Sequence, residues 1–217
     1  MKTRNLVAIE GYFSLIGAIG LMFWWILMPV FLPISDAAEN FNILILDHNW
    51  VYLNLIGLGS AICLTLGFPG FYLKNYKKFN RTGFFGLILA STGLILFTSI
   101  QYYETLLWPA AAQVNPELLD ARGALVSGDI GVMAGLIISG VFLGIGYILF
   151  GVSALQTKSY PRIPLWFVII GAPVFGNGIA FPVRTVGLIL FCIGTIWLAN
   201  NIIKNMQSSR SALTGKI

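Results

Sequence analysis

The sequence predicts an all-α protein: a polytopic transmembrane bundle of six helices, with a short amphipathic helix in the outer loop between the third and fourth spans. Three observations predict it. Of 217 residues, 57% are hydrophobic and only 10% charged, with a mean hydropathy of +0.84; a soluble domain of this length cannot build its charged shell from so little. The apolar residues gather into six runs of a length suited to a bilayer. The basic residues fall in alternate connections between those runs.

The spans cover about residues 6–31, 50–73, 83–107, 130–155, 163–180 and 183–203, and residues 1–217 form a single six-span domain. Lipid offers the backbone no hydrogen bonds, so each run must be helical. Lys2 and Arg4 before an apolar run imitate a signal peptide. However, Leu6–Phe31 is too long for one, Glu10 interrupts its start, Trp24-Trp25 reads as an interfacial belt and Ser35-Asp36-Ala37 is a poor cleavage site. The first span is therefore expected to stay uncleaved. Glu10, Ser14 and Gly17 share a helical spacing in it, as do Asn54, Gly57 and Ala61 in the second. The fourth span carries the clearest stripe of small residues, Gly131, Gly135 and Ser139, beside a ridge at Gly140 and Gly144, which predicts a central place in the bundle. Gly171, Pro173, Gly176, Gly178 and Pro182 crowd the end of the fifth, predicting a kink or fraying and a tight turn into the sixth. A turn at the membrane surface accounts for them, and so does a broken transport helix. Residues 1–107 and 130–203 hold three spans each, the arrangement of an inverted repeat, but share no residue pattern.

Eleven of the 13 basic residues lie on one side: Lys2, Arg4, Lys74, Lys77, Lys78, Arg81, Lys158, Arg162, Lys204, Arg210 and Lys216. Arg122 and Arg184 lie on the other, with Asp36, Glu39, Asp47, Glu117, Asp120 and Asp129. The positive-inside rule makes the basic side cytoplasmic, with both termini there. The net charge of +5 is spread along membrane flanks, a pattern that argues against nucleic acid as a partner.

Few residues suggest chemistry. Glu10 lies about one turn inside the cytoplasmic edge, where a carboxylate serves as a proton or cation site, snorkels, or pairs with Arg4 or a basic connection. On the outer side, Gln101-Tyr102-Tyr103-Glu104 ends the third span, Trp108-Pro109 follows, and Asp47-His48-Asn49-Trp50 opens the second. An aromatic belt accounts for the tyrosines and tryptophans but not for Glu104 or for His48, the one histidine. Asn115-Pro116 is a cap and first-turn pair, and beyond it Leu118, Leu119, Leu125 and Val126 share a face with Arg122 in its middle and Asp129 close to its line. Arg122 then reaches lipid phosphate or pairs with Glu104 or Asp129. The candidate ligand-binding set is His48, Glu104, Arg122, Tyr102, Tyr103, Trp108 and Asp129, with Glu10 as a separate intramembrane acid.

Catalytic signatures are missing: the sequence has no HExxH, GxSxG or P-loop. One histidine and two cysteines inside apolar runs, Cys63 and Cys192, make no ordinary haem or zinc site, so no metal, cofactor or catalytic residue is expected. The first span, reading Ile9-Glu10-Gly11-Tyr12 and Leu15-Ile16-Gly17 at the head of six spans, resembles small uncharacterised bacterial membrane proteins of the domain-of-unknown-function type. The resemblance covers layout alone, transfers no site residue, and implies a bacterial cytoplasmic (inner) membrane.

Three functional classes stay open. The leading one is a small-molecule-binding, sensing or interaction bundle with an outward-facing polar-aromatic site. Its partners would be membrane lipid, a small apolar or amphiphilic ligand, a second copy of the chain, or a partner membrane subunit. The alternative is a small ion- or proton-coupled transporter or channel. The third is a membrane enzyme with an outer-face site around His48 and Glu104. Of these, a through-going polar path favours transport and a cavity closed on the cytoplasmic side favours binding. Topology is testable by labelling in intact cells, with Cys63 and Cys192 removed. Lys77→Cys and Arg210→Cys should resist membrane-impermeant thiol reagents and Glu39→Cys should react; the reverse pattern inverts the orientation.

Overall fold

The computed structural model describes residues 3–32, 41–120, 122–176 and 181–214. These residues are helical with no strand. The order is α1 (Thr3–Phe31), α2 (Phe41–Leu46), α3 (His48–Gly67), α4 (Pro69–Leu73), α5 (Arg81–Tyr102), α6 (Trp108–Val114), α7 (Ile130–Thr157), α8 (Arg162–Gly176) and α9 (Phe181–Thr214). Five helical stretches are long and apolar enough to cross a membrane: Asn5–Phe31, His48–Leu73, Arg81–Val114, Ile130–Thr157 and Phe181–Gln207. Arg162–Gly176, where the fifth span was expected, is apolar but shorter. It runs helically through Pro173 and ends with Gly176; the expected tight turn at Gly178 and the Ser35-Asp36-Ala37 segment lie outside the described residues.

Caps set the helix starts. Asp47 accepts from the Asn49 N–H at 2.7 Å, Asn80 from Gly83 at 3.0 Å, and Asp129 from Gly131 and Val132 at 2.7 and 3.1 Å. Lys158, in the left-handed region at φ 53°, closes α7. The second long stretch continues through Pro69, whose missing N–H is tolerated at the first position of α4.

Six of these helices form a closed ring in chain order: α1 on α3, α3 on α5, α5 on α7, α7 on α8, α8 on α9, and α9 back on α1. Sequential antiparallel helices put the starts of α3, α7 and α9 at one end with the finishes of α1, α5 and α8. The charges sort accordingly. Lys74, Lys77, Lys78, Arg81, Lys158 and Arg162 occupy the end where Lys74 Nζ donates to Asn201 (2.9 Å) and Lys78 Nζ to Ser159 (3.2 Å). Burial pushes the Lys74 ammonium down to about 8. At this end Glu10 is buried where α1 meets α4, lying against Gly70, and among the described residues its Oε2 has no hydrogen-bond partner. The pairing with a basic connection that its position suggested does not form there among the described residues.

Close backbone approach makes the seams. Gly86 and Gly93 of α5 lie on the backbone at Phe150 and Leu143 of α7, while Gly146 of α7 lies on Ala90. The stripe expected on α7 divides: Ser139, Gly140 and Gly144 are buried, whereas Gly131 and Gly135 are exposed and a side chain at Gly135 would meet nothing. No residue from Ile130 to Ile138 is buried, so the first turns of α7 stand clear of close neighbours. A Cβ at Gly140 would collide with the Gly176 carbonyl of α8. Gly140→Leu should therefore lower the melting midpoint in detergent sharply, by the few kcal/mol typical of overpacking, and Gly135→Leu should leave it unchanged; equal melting of the two would place both on open surface.

Candidate functional site

The third long helix does not stop at Glu104 as the sequence suggested. It passes through a wide π-turn, Tyr103–Leu107, and continues as α6. Pro109 explains the turn: it has no N–H to give either the Thr105 carbonyl in α geometry or the Glu104 carbonyl in π geometry. The Trp108 N–H turns to Tyr103, and the Glu104 carbonyl accepts from Trp50 Nε1 at 3.0 Å. That bond ties α3 to the third helix and aims the Glu104 side chain inward. Thr105 donates to the Gln101 carbonyl, and Gln101 Nε2 donates to Glu104 Oε2 at 3.2 Å.

Around this point the ring holds a cavity of about 490 Å³. Each of the six ring helices contributes to its wall, including Trp24 and Trp25 of α1, Asn54 of α3, Phe97 and Gln101 of α5, Leu143 of α7, Phe175 of α8 and Arg184 of α9. Phe41, Leu44, Trp108 and Val126 line it as well. These belong to a second apolar cluster, in which Trp50 stacks on Trp108 at 6.2 Å and Phe41 meets Trp108 edge-on at 5.4 Å. One turn below Leu143, the inner end meets packed aromatic rings: Phe68 lies 4.7 Å from Tyr147 and 5.0 Å from Phe150, and Tyr147 lies 5.1 Å from Phe191.

Two ionisable groups face the cavity. Glu104 is half-buried, and so is Arg184, whose guanidinium lies 5.5 Å over Trp25 and 5.9 Å over Phe175. They form no direct ion pair, but each acts on the other electrostatically. Among the described residues, five buried polar atoms of residues that line the cavity have no hydrogen-bond partner: Trp24 Nε1, Trp108 Nε1, Arg184 Nε, Asn54 Oδ1 and Gln101 Oε1. Such atoms are rare and costly when sealed in protein.

The structure brings together Glu104, Trp108 and, at the rim, Tyr103, whose ring lies 6.0 Å from Trp108. It does not bring in His48 or Arg122. His48 is exposed, its Nδ1 3.6 Å from Asp47. Arg122 is exposed in the loop and makes no ion pair among the described residues. Tyr102 is exposed, and Asp129 caps α7. The single amphipathic helix expected after Asn115 is replaced by two short turns, Pro116–Leu119 and Ala124–Gly128, with Asp120 and Gly123 extended between them. Glycines at 123 and 128 favour that break, and it lets Leu119, Leu125 and Val126 fold onto Trp108. Arg184 was counted in the sequence only as an outer basic residue. A charge within the first turn of an apolar helix was its signal, the same one that drew attention to Glu10.

Among the described residues no three histidine, cysteine, aspartate or glutamate side chains converge as a metal-ligand set. Cys63 and Cys192 are free thiols. Several long apolar helices closed around an internal cavity point to the class of multi-pass membrane proteins. Comparison with protein-family models, curated proteins and solved structures finds no match.

The Glu104–Arg184 relation is open to a double-mutant cycle. Glu104→Gln and Arg184→Gln should couple by about 1 kcal/mol in unfolding free energy, while Glu104→Gln and Arg122→Gln should add to within about 0.5 kcal/mol. Coupling to Arg122 in place of Arg184 would return the site to the outer loop.

Proposed function

We propose that the chain is a six-span protein of a bacterial cytoplasmic membrane, with both termini cytoplasmic, that binds a small amphiphilic molecule in the outward-facing cavity. The observation that carries this reading is a cavity with an apolar, largely aromatic wall and a polar end, stopped on the cytoplasmic side by the Phe68–Tyr147–Phe150–Phe191 packing. A volume of about 490 Å³ falls in the range of small-molecule sites. Intramembrane charges that are not mutually satisfied mark function more often than stability. Glu10, buried and with a free carboxylate oxygen, favours the alternative of proton-coupled transport; the aromatic packing between Glu10 and the cavity speaks against a continuous polar path.

Mass spectrometry of the purified protein tests the proposal. An amphiphile should co-purify with the parent and be reduced about tenfold or more in Leu136→Trp. That substitution adds bulk to the cavity wall from the loosely packed turns of α7 and should not change the melting midpoint. Equal recovery from both proteins, or none from the parent, overturns the binding reading.

A further inference from the structure

Independently of the cavity, we infer that an open groove where α4 meets α5, at the basic end, seats an anionic phospholipid, its phosphate on Arg81 and an acyl chain along Phe84 and Phe85. The juxtaposition behind it is a set of exposed aromatic rings at the head of an apolar span, next to a connection that carries only positive charge. Tyr72, Phe79, Asn80, Arg81, Phe84 and Phe85 line the groove. Its floor is fixed to the bundle. Phe79 stacks on Phe150 of α7 at 5.2 Å, and Tyr72 lies 4.9 Å from Phe79. Asn80 holds the start of α5 to α7, accepting from Ser153 Oγ at 2.7 Å and donating to Gln156 at 2.9 Å.

The rim is built for an amphiphile. Phe84 and Phe85 are 47% and 58% exposed, yet they lie in the first turns of a stretch apolar enough to cross a membrane. In a bilayer that surface meets acyl chains. Arg81 opens the same stretch about 5 Å before them, at the boundary where headgroups lie. Charge selects the head. Lys74 donates to Asn201 and Lys78 to Ser159, whereas among the described residues no hydrogen bond, ion pair or ring contact engages Arg81, which is exposed. No acid occurs between Asp47 and Glu104, and none follows Asp129. Glu10 is the one acid among the described residues at this end, and it is buried where α1 meets α4. A phosphodiester suits a free guanidinium through paired hydrogen bonds. A head that also carried an ammonium or choline would set that cation near Lys77, Lys78 and Arg81 as a like charge. The occupant is therefore a phospholipid of net negative charge, such as a phosphatidylglycerol.

Native mass spectrometry of the full chain in detergent tests the site. Titration with dioleoyl phosphatidylglycerol or dioleoyl phosphatidylcholine reads the affinity for the first bound lipid. Phosphatidylglycerol should bind about tenfold more tightly. Arg81→Gln should weaken it about fivefold and leave phosphatidylcholine unchanged. Lys204→Gln, an equal loss of charge on α9, should change it by less than about twofold. Phe84→Ala should weaken it about threefold. The replaced side chains are all exposed, so the melting midpoints should match the parent. Equal affinity for the two lipids, equal losses in Arg81→Gln and Lys204→Gln, or no loss in Phe84→Ala overturns the inference. So does displacement of the lipid by an excess of inorganic phosphate, which would make this a site for a free anion.

Discussion

Helices surrounded by hydrocarbon gain little from leaving one apolar medium for another, so their association rests on how closely the backbones can come. Every seam of this ring has a glycine, set against backbone at four of them and against the side chains of Gln101 and Ile202 at the other two. Gly17 lies on Leu64 between α1 and α3, Gly57 on Gln101 between α3 and α5, and Gly86 on Phe150 between α5 and α7. Gly140 lies on Gly176 between α7 and α8, Gly171 on Phe191 between α8 and α9, and Gly11 on Ile202 between α9 and α1. Toward the basic half the ring is filled by the packed rings of Phe68, Tyr147, Phe150 and Phe191, and toward the other end it encloses the cavity.

The polar end of that space depends on a local accident of backbone chemistry. Pro109 withholds one N–H, the helix widens for one turn, and a carbonyl inside an apolar bundle is left to find a partner. Trp50 supplies it. The same indole is part of the stacked cluster with Trp108 and Phe41, so the hydrogen bond, the aromatic cluster and the placing of Glu104 at the cavity are held by a shared set of side chains.

What the sequence makes legible follows from how each signal arises. Apolar run length and charge placement act on whole spans, and the described residues hold five helical stretches long and apolar enough to cross a membrane, although the third runs on to Val114 and Arg162–Gly176 is shorter. The cap at Asn115 was readable because it acts within three residues. The site was less legible because its members meet only through tertiary packing. Glu104 and Trp108 stood out as unusual residues at a span end, but the cation that shares the cavity with Glu104, Arg184, comes from α9, far along the chain. Arg122 was nearer by chain path, yet the loop breaks at Gly123 and turns its apolar residues inward, leaving the arginine outside. Pro109 read naturally as the end of a helix; only the geometry shows the chain passing it. Likewise Gly131, Gly135 and Ser139 form one stripe by spacing, and only Ser139 has a neighbour to meet.

The closing seam between α9 and α1 has a consequence for biosynthesis. α1 leaves the ribosome before the helices that separate the two and α9 after them, so they must find each other once everything between them has been made. Until α9 arrives, α1 holds one partner and presents to lipid a face that in the finished ring bears Gly11 against Ile202 and Trp25 bonded to Thr185. Arg184 arrives with the same helix. The nascent bundle is therefore an open arc, and the pocket acquires its positive charge and its final wall in a single late event, when the arc becomes a circle.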